Sequence, residues 1–296
     1  MKRKVLYGSA RQLSLSLGRK EFIRKPCVAF IESIRGQFLL FAQVLQASGK
    51  ELSCMPDNYT NRNVKLLRTL FDSIRLLRDR LVGLYGENTA KAIEDDALKE
   101  YQAIIPQIPF IGKKNPLLIF LLPTSRYLAL YRALKKHGGT VEQAGELIYF
   151  MTQRQLEKMP VLIRRAMAWL WFSAWFSRRL RKRSKESLRR KYIADYVFDY
   201  IQGQDDVYNY GIDYLECASC KFLTAQKSFE LMPYICAVDK VTSKMLGWGL
   251  SRTSTLAEGA SSCDFRFSKK GITKVAVPAS LMEFSNLEEA DQNNLT

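Results

Sequence analysis

Histidine is almost missing from this chain of 296 residues, which contains only one, His137. A single histidine excludes a metal site with several histidine ligands and argues against a Ser-His-Asp hydrolase. His137 stands at the end of a predicted helix, before two glycines, where we expect it to interact with the helix dipole. Cysteine is also scarce. Six cysteines are too few for a disulfide scaffold, so we expect a reduced, cytoplasmic setting.

Long apolar runs are absent as well. No stretch reaches the roughly eighteen apolar residues that a membrane-spanning helix needs. The basic start at residues 1–4 is not followed by an apolar segment, so no secretory signal is expected. Apolar residues make up 47% of the chain and charged residues 25%, which is typical of a folded protein with a substantial core.

Acidic residues are outnumbered, with 29 Asp and Glu against 46 Lys and Arg, for a net charge of +17. Residues 178–191 hold nine basic residues and one Glu, most simply a solvated helix face or linker. An aromatic stretch, AMAWLWFSAWF at 166–176, precedes them, and this combination is typical of an interfacial helix. Peripheral contact of residues 164–191 with an anionic membrane is therefore the alternative. Nucleic acid is not expected, because no aromatic base-reading motif accompanies the charge.

The fold class predicted from the periodicity is α+β. Apolar residues at helical spacing predict a mostly helical region over 1–177, and residues 178–192 are a basic linker or helix end. A smaller α+β domain with an antiparallel sheet follows at 193–277, and 278–296 form a polar tail. The predicted helices span Glu21–Gln46, Asn63–Tyr85, Thr89–Ile105, Leu117–Lys136, Thr140–Glu157 (with a capping box at Thr140 and Gln143) and one aromatic and basic helix from Pro160.

Alternating residues predict the strands of the second domain. Tyr196–Gln202 and Tyr208–Glu216 form one hairpin, and Leu250–Ala257 with Cys263–Ser268 form the last one. Between them Phe222–Asp239 is predicted as a helix that Pro233 breaks and Lys240–Leu246 continues. Cys217 therefore lies where a strand ends.

Four of the six cysteines, Cys217, Cys220, Cys236 and Cys263, fall within 47 residues of this domain. Three interpretations stay open. In the first, the four cysteines are buried reduced thiols. In the second, they are ligands of zinc or of an iron–sulfur cluster. In the third, Cys217 or Cys220 is a nucleophile or a redox thiol. Only Cys217 and Cys220 form a C-x-x-C pair, and one such pair is a weaker signal of a metal site than two pairs.

Charged residues are interleaved with these cysteines. Asp264 and Arg266 share one face of a strand, opposite Cys263, Phe265 and Phe267. The plain interpretation is a surface ion pair, and the functional one is a substrate site. In the functional interpretation the arginines bind a substrate carboxylate and a carboxylate moves a proton. The further candidates are Arg252, Glu258 and Asp239 (on the same helix face as Cys236), with Lys113 and Lys114 in the loop 108–116 as an anion site.

Several motifs of the chain together resemble the L-2-amino-thiazoline-4-carboxylic acid hydrolase family. They are DYLECASCK at 213–221, LMPYICAVD at 231–239, LSRTSTLAEG at 250–259, CDFRF at 263–267, the loop IPFIGKKNP at 108–116 and the helix TVEQAGELIY at 140–149. The likeness covers roughly residues 100–270. The C-terminal pattern is also similar to the small-ligand domain called 4-vinyl reductase.

The resemblance implies a hydrolase that acts on a carbon–nitrogen, non-peptide bond. It would open 2-amino-thiazoline-4-carboxylate, a small carboxylate substrate, to N-carbamoyl-L-cysteine in cysteine metabolism. On our assignment Cys217, Cys220, Glu258 and Asp264 are catalytic. We assign substrate binding to Arg252, Arg266, Asp239, Lys113 and Lys114. The rival function is a sensor without turnover, in which Cys217, Cys220, Cys236 and Cys263 hold a small ligand or a metal.

Overall fold

The computed structural model describes residues 63–113, 115–204 and 207–282. The chain divides into two compact units, one of Met1–Leu52 with Lys114–Pro116 and the other of Ser53–Lys113 with Leu117–Thr296. Nearly all described residues belong to the second unit, and the following account concerns that unit. The predicted helix Glu21–Gln46 lies outside the described residues, and the predicted domain boundaries stay predictions.

The first helices form an apolar bundle. Asn63–Ile74 (α1) and Arg78–Tyr85 (α2) replace the single helix predicted over this stretch, because a turn at 75–77 separates them. Its Leu77 is fully buried, and the apolar spacing therefore continues across the break. Glu87–Ile104 (α3) packs beside both, close to its predicted bounds.

Two longer helices complete the bundle. Leu118–Lys136 (α4) and Val141–Glu157 (α5) match the predictions closely. The capping box is confirmed: the Gln143 backbone N–H donates to Thr140 Oγ1 over 3.3 Å, and the Thr140 N–H donates to Gln143 Oε1 over 3.0 Å. His137 follows the last turn of α4, and its Nε2 lies 3.1 Å from Asp96 Oδ2.

The aromatic and basic stretch is two helices where one was expected. Val161–Trp171 (α6) ends at Phe172, and Ala174–Ser187 (α7) begins after Ser173. Ser173 forces the new start, because its hydroxyl accepts a hydrogen bond from the Phe176 N–H over 3.1 Å and caps α7. None of the helices in the described ranges is long and apolar enough to span a bilayer.

Five strands form one sheet in the order β1-β2-β4-β3-β5. They are Val197–Gln204 (β1), Tyr208–Glu216 (β2), Gly249–Arg252 (β3), Cys263–Ser268 (β4) and Lys274–Val275 (β5). The α+β class is confirmed, but the sheet is mixed where an antiparallel sheet was predicted, since β5 pairs with β3 in parallel. The first strand of the last predicted hairpin, Leu250–Ala257, is shorter than expected, and a one-turn helix follows it at Leu256–Glu258.

Two helices lie between β2 and β3. Ala218–Ala225 (α8) begins directly after Cys217, which confirms the position of that cysteine at a strand end. Met232–Leu246 (α9) carries Cys236 and Asp239. The predicted helix from Phe222 to Asp239 is therefore two, and Pro233 lies in the first turn of α9 because a missing N–H is tolerated there. The hydrophobic core around α1–α5 extends to buried residues of α8 and α9.

Candidate active site

Cys217 stands between β2 and α8, and this position favours its thiolate. Its backbone is extended (φ −118°, ψ 117°), and it occupies the position before the first turn of α8. A hydrogen bond from the Cys220 thiol, together with the backbone N–H groups of Cys220 and Ser219, lowers the pKa of Cys217 against the opposing effect of burial. A low thiol pKa at a helix N-terminus is characteristic of a reactive cysteine.

Cys220 has the opposite property. Its hydrogen bond to Cys217, reinforced by burial, raises the pKa of the Cys220 thiol far above its ordinary value. When the pair loses one proton, Cys217 therefore carries the negative charge and Cys220 keeps its proton. Two neighbouring groups with pKa values moved apart in this way can serve as nucleophile and proton donor.

The other two cysteines of the region point to the same place. Burial raises the pKa of Cys236 well above its usual range and that of Cys263 to about 11. Cys263 Sγ accepts a hydrogen bond from the Leu256 N–H over 3.1 Å. Both thiols interact electrostatically with Cys217. The fold therefore gathers the four cysteines into one region, named here the thiol cluster.

Metal binding by the thiol cluster stays a prediction. Among the described residues, no three His, Cys, Asp or Glu side chains lie close enough together to hold one metal ion. Cys217 and Cys220 form a hydrogen-bonded pair. Cys236 and Cys263 interact with Cys217 only electrostatically. A tetrahedral site would need their sulfur atoms to converge on one point.

An ion pair adjoins the thiol cluster. Arg252 Nη1 of β3 donates to Asp239 Oδ2 of α9 over 2.5 Å, and Nη2 donates to the Cys236 carbonyl over 3.2 Å. The guanidinium also lies over the ring of Phe265, 5.2 Å from its centroid. Only 4% of the Arg252 side chain is accessible, compared with 31% for Asp239. Arg252, expected to bind a substrate carboxylate, thus stands behind Asp239 with its charge already paired.

Three side chains of this region are surrounded by protein and still partly accessible. Burial raises the pKa values of Tyr214, Cys236 and Asp239, yet each of the three keeps accessible surface. From this combination we infer that the three residues border a concave site, named here the cleft. Tyr214 interacts electrostatically with Asp239 and Cys217, which connects the acid to the thiol pair across the cleft. The structure therefore brings Cys217, Cys220 and Asp239 into one region.

Asp264 and Arg266 lie on the opposite face of β4, as the alternation of the strand predicted. The Asp264 carboxylate accepts hydrogen bonds from the backbone N–H groups of Thr253 and Ser254 over 2.9 and 2.7 Å. Burial opposes the charge, but these bonds prevail and lower the pKa of Asp264. Arg266 Nη1 binds Asp213 over 2.5 Å. Both charges thus have structural partners away from the thiol cluster.

The remaining candidates lie elsewhere in the unit. Glu258 is exposed on the turn after β3, where its carboxylate accepts a hydrogen bond from the Thr255 hydroxyl over 2.7 Å. Lys113 is exposed in the loop that precedes α4, and Lys114 lies outside the described residues. The roles assigned to these three residues stay predictions.

Four residues of the region were not singled out from the sequence. Ser219 Oγ is hydrogen-bonded to Tyr196 OH over 2.7 Å and to Thr124 Oγ1 over 2.9 Å, all of them buried behind Cys217. Tyr214 faces the cleft. The tyrosines were interpreted only as strand residues, although two of them precede the C-x-x-C pair closely enough to signal a site. Thr124 gave no sequence signal, because its contact depends on packing of α4 against α8.

Residues 122–267 match the family model described as L-2-amino-thiazoline-4-carboxylic acid hydrolase. The matched span includes the thiol cluster, Asp239 and Arg252. No curated protein and no solved structure matches the chain. The match confirms the resemblance of residues 122–267 to the L-2-amino-thiazoline-4-carboxylic acid hydrolase family.

Proposed function

We propose that the protein is a hydrolase that opens a small cyclic amidine, of the type of 2-amino-thiazoline-4-carboxylate, with Cys217 as nucleophile. The observation that carries the proposal is the split thiol pair: Cys217 favours the thiolate and Cys220 keeps the proton, inside a cleft that also contains an acid. The family match supports the substrate class. The product of such a substrate is N-carbamoyl-L-cysteine.

In the first step the Cys217 thiolate attacks C2, the carbon that the ring sulfur and two nitrogens share. The bond between C2 and the ring sulfur then breaks. The departing ring sulfur takes the proton of Cys220, which becomes a thiolate. Cys217 is left joined to the substrate carbon as an isothiourea that contains every atom of the substrate. Once Cys217 is joined to the substrate, its negative charge no longer raises the pKa of Cys220, so Cys220 can release its proton to the departing sulfur.

In the second step water completes the hydrolysis. The Cys220 thiolate takes a proton from water, and the resulting hydroxide attacks the isothiourea carbon. The bond to Cys217 breaks and its thiolate is restored. The carbon now bears the water oxygen, and the isourea that results tautomerises to the carbamoyl group. The sum is one substrate and one water converted to one product, with both thiols returned to their starting states.

Asp239 is the group that we assign to binding the amidine. Its accessible carboxylate can accept hydrogen bonds from the substrate N–H groups, and a carboxylate and an amidinium match in geometry and charge. Arg252 is a positioning residue, since it fixes the Asp239 carboxylate and the Cys236 carbonyl from behind. Loss of the Arg252 side chain should therefore change KM, and the conservative variant Arg252→Lys should partly restore the KM of the parent protein.

Purified protein incubated with 2-amino-thiazoline-4-carboxylate should form N-carbamoyl-L-cysteine, measured by chromatography. Cys217→Ala should lower kcat at least about 1000-fold and Cys220→Ala roughly 100-fold, by analogy with loss of a nucleophile and of a general acid. Cys263→Ala is the matched control, because that thiol is not a thiolate near neutral pH and takes no part in the steps above. Rapid quenching should trap a whole substrate molecule on the peptide that contains Cys217.

Full turnover by Cys217→Ala would refute the covalent route. Metal analysis of the protein purified without added ions addresses the rival function as a metal-binding sensor. Stoichiometric zinc or iron that disappears in a Cys217→Ser/Cys220→Ser variant, without ring opening by the parent protein, would replace the hydrolase proposal with the sensor.

A further inference from the structure

Helix α6 presents an apolar stripe that the described part of the protein does not cover. None of its residues is buried. Leu162 and Trp169 are 78% and 70% exposed, and Arg165 and Ala166 are exposed between them. Spacings of three, four and seven residues place these four on one side of a helix. Large exposed apolar side chains in register mark an interaction surface.

Helix α7 follows α6 directly in the chain and adds exposed positive charge. Trp175 is exposed at its first turn, and its exposed basic residues recur at the same helical spacings. They are Arg178, Arg181, Lys182, Lys185 and, just beyond the end of the helix, Arg189. Residues 161–191 contain eleven Lys and Arg and a single acid, Glu186, which pairs with Arg183 over 2.6 Å. The helix therefore presents a positive face.

A groove of about 370 Å³ lies beside the α6 stripe. Trp169 and Phe172 form part of its wall, Leu246 and Gly247 at the end of α9 form another, and Arg165 and Lys269 add positive charge. The aromatic surface and the two cations together suit a phospholipid, whose acyl chain is apolar and whose headgroup phosphate is anionic.

We propose that α6, α7 and this groove form a docking surface for an anionic lipid bilayer. Leu162 and Trp169 enter the headgroup and acyl boundary, a lipid phosphate lies between Arg165 and Lys269, and the basic face of α7 rests on the membrane surface. Charge selects the occupant, because an apolar partner helix or a second copy of this basic chain would gain nothing from so many exposed cations. The proposal does not depend on the hydrolase activity.

The experiment is sedimentation of the full chain with phosphatidylcholine vesicles, with and without phosphatidylserine. Binding should require phosphatidylserine and weaken as salt screens the charges. Near an anionic surface each Lys or Arg strengthens binding about fivefold, so Arg178→Gln/Lys182→Gln/Lys185→Gln should weaken it roughly 100-fold. The matched control, Lys65→Gln/Arg68→Gln/Lys91→Gln, removes the same charge from exposed positions elsewhere and should bind within a few-fold of the parent chain.

A second pair of variants tests the apolar stripe. Leu162→Ser/Trp169→Ser should weaken vesicle binding about 100-fold, since insertion of each side chain contributes roughly tenfold or more. Val64→Ser/Leu84→Ser, which alters exposed apolar residues on α1 and α2, should leave it unchanged. In the parent chain a lipid-borne quencher should reduce the fluorescence of Trp169.

Three results would overturn the proposal. The first is equal binding to neutral and anionic vesicles. The second is a concentration-dependent dimer in centrifugation that Leu162→Ser/Trp169→Ser abolishes, without vesicle binding by the parent chain, because the stripe would then be an interface between copies. The third is binding to nucleic acid while vesicles are ignored. Thermal unfolding of each variant shows that any loss of binding occurs in folded protein.

Discussion

Replacing Cys220 by Ala should slow the reaction of Cys217 with alkylating reagents, although Cys217 itself is unchanged. The substitution removes the thiol that donates a hydrogen bond to the Cys217 thiolate. The backbone N–H groups of residues 219 and 220 remain, so part of the stabilisation persists. A hydrogen bond to a charged acceptor contributes about 1.5 kcal/mol at its weak end, equivalent to roughly a tenfold change in an equilibrium. The pKa of Cys217 should therefore rise by about one unit, and its alkylation rate should fall by up to about tenfold at pH values below that pKa.

The assay is alkylation with iodoacetamide over a series of pH values, with each cysteine-containing peptide quantified by mass spectrometry. Because the pKa of Cys217 is lowered, its thiolate persists to lower pH than that of an ordinary cysteine, and its rate declines as pH falls through the lowered pKa. Cys263, with a pKa of about 11, should react slowly at neutral pH and accelerate towards alkaline pH. In the Cys220→Ala variant the profile of Cys217 should move towards higher pH.

Two controls sharpen the result. Cys220→Ser keeps a hydrogen-bond donor and should leave the Cys217 profile close to that of the parent protein. Cys236→Ala removes a neighbouring thiol that does not donate to Cys217, so the rate should stay within about twofold. The reasoning fails if Cys220→Ala leaves the alkylation of Cys217 unchanged, or if Cys263 reacts before Cys217 in the parent protein.

Two predictions concern stability. A Cβ at Gly145 would lie 2.0 Å from Tyr234 Cδ1, so Gly145→Ala should lower the free energy of unfolding in urea by about 1–3 kcal/mol. A Cβ at Gly83, inside α2, would meet nothing within 4 Å, so Gly83→Ala should raise the free energy of unfolding by up to about 1 kcal/mol. Equal effects of the two substitutions would contradict the packing of α5 on α9. Asp264 has a lowered pKa, so its charge stabilises the fold above the ordinary Asp pKa of about 3.9, and that contribution is lost as pH falls further. Asp264→Asn should therefore lower the free energy of unfolding by about 1–2 kcal/mol at neutral pH and reduce the loss of stability at acid pH. An unchanged loss of stability at acid pH would show that the hydrogen bonds of Asp264 contribute little.

The parts of the fold that depend on local pattern were predictable from the sequence. Helices α3, α4 and α5 show strong apolar periodicity, and the Thr140 capping box marks one start unambiguously. The breaks were harder. The turn at 75–77 keeps the apolar spacing of its neighbours, so periodicity does not reveal it. Strand β5 has two residues, and its parallel pairing with β3 depends on tertiary contacts that no local pattern encodes.

The candidate site was predictable as a region, but its internal roles were not. Alternation along β4 correctly placed Asp264 and Arg266 opposite Cys263, yet it did not say which face borders the cleft. Arg252 and Asp239 were both candidates, but their ion pair joins a strand to a helix and requires the packed fold. The different pKa values of Cys217 and Cys220 depend on the start of α8 at Ala218, whereas the apolar pattern predicts a helix only from Phe222.

Helix α9 connects the two proposals and also explains why they can be tested separately. Asp239 lies in the middle of this helix and Leu246 at its end, so about 10 Å of helix separates the cleft from the lipid groove. The cleft faces β3 and the start of α8, whereas the groove faces α6. A change at Trp169 removes no contact of the thiol pair, and a change at Cys217 removes none from the groove. Vesicle binding and ring opening should therefore respond to different substitutions, and failure of one proposal leaves the other intact.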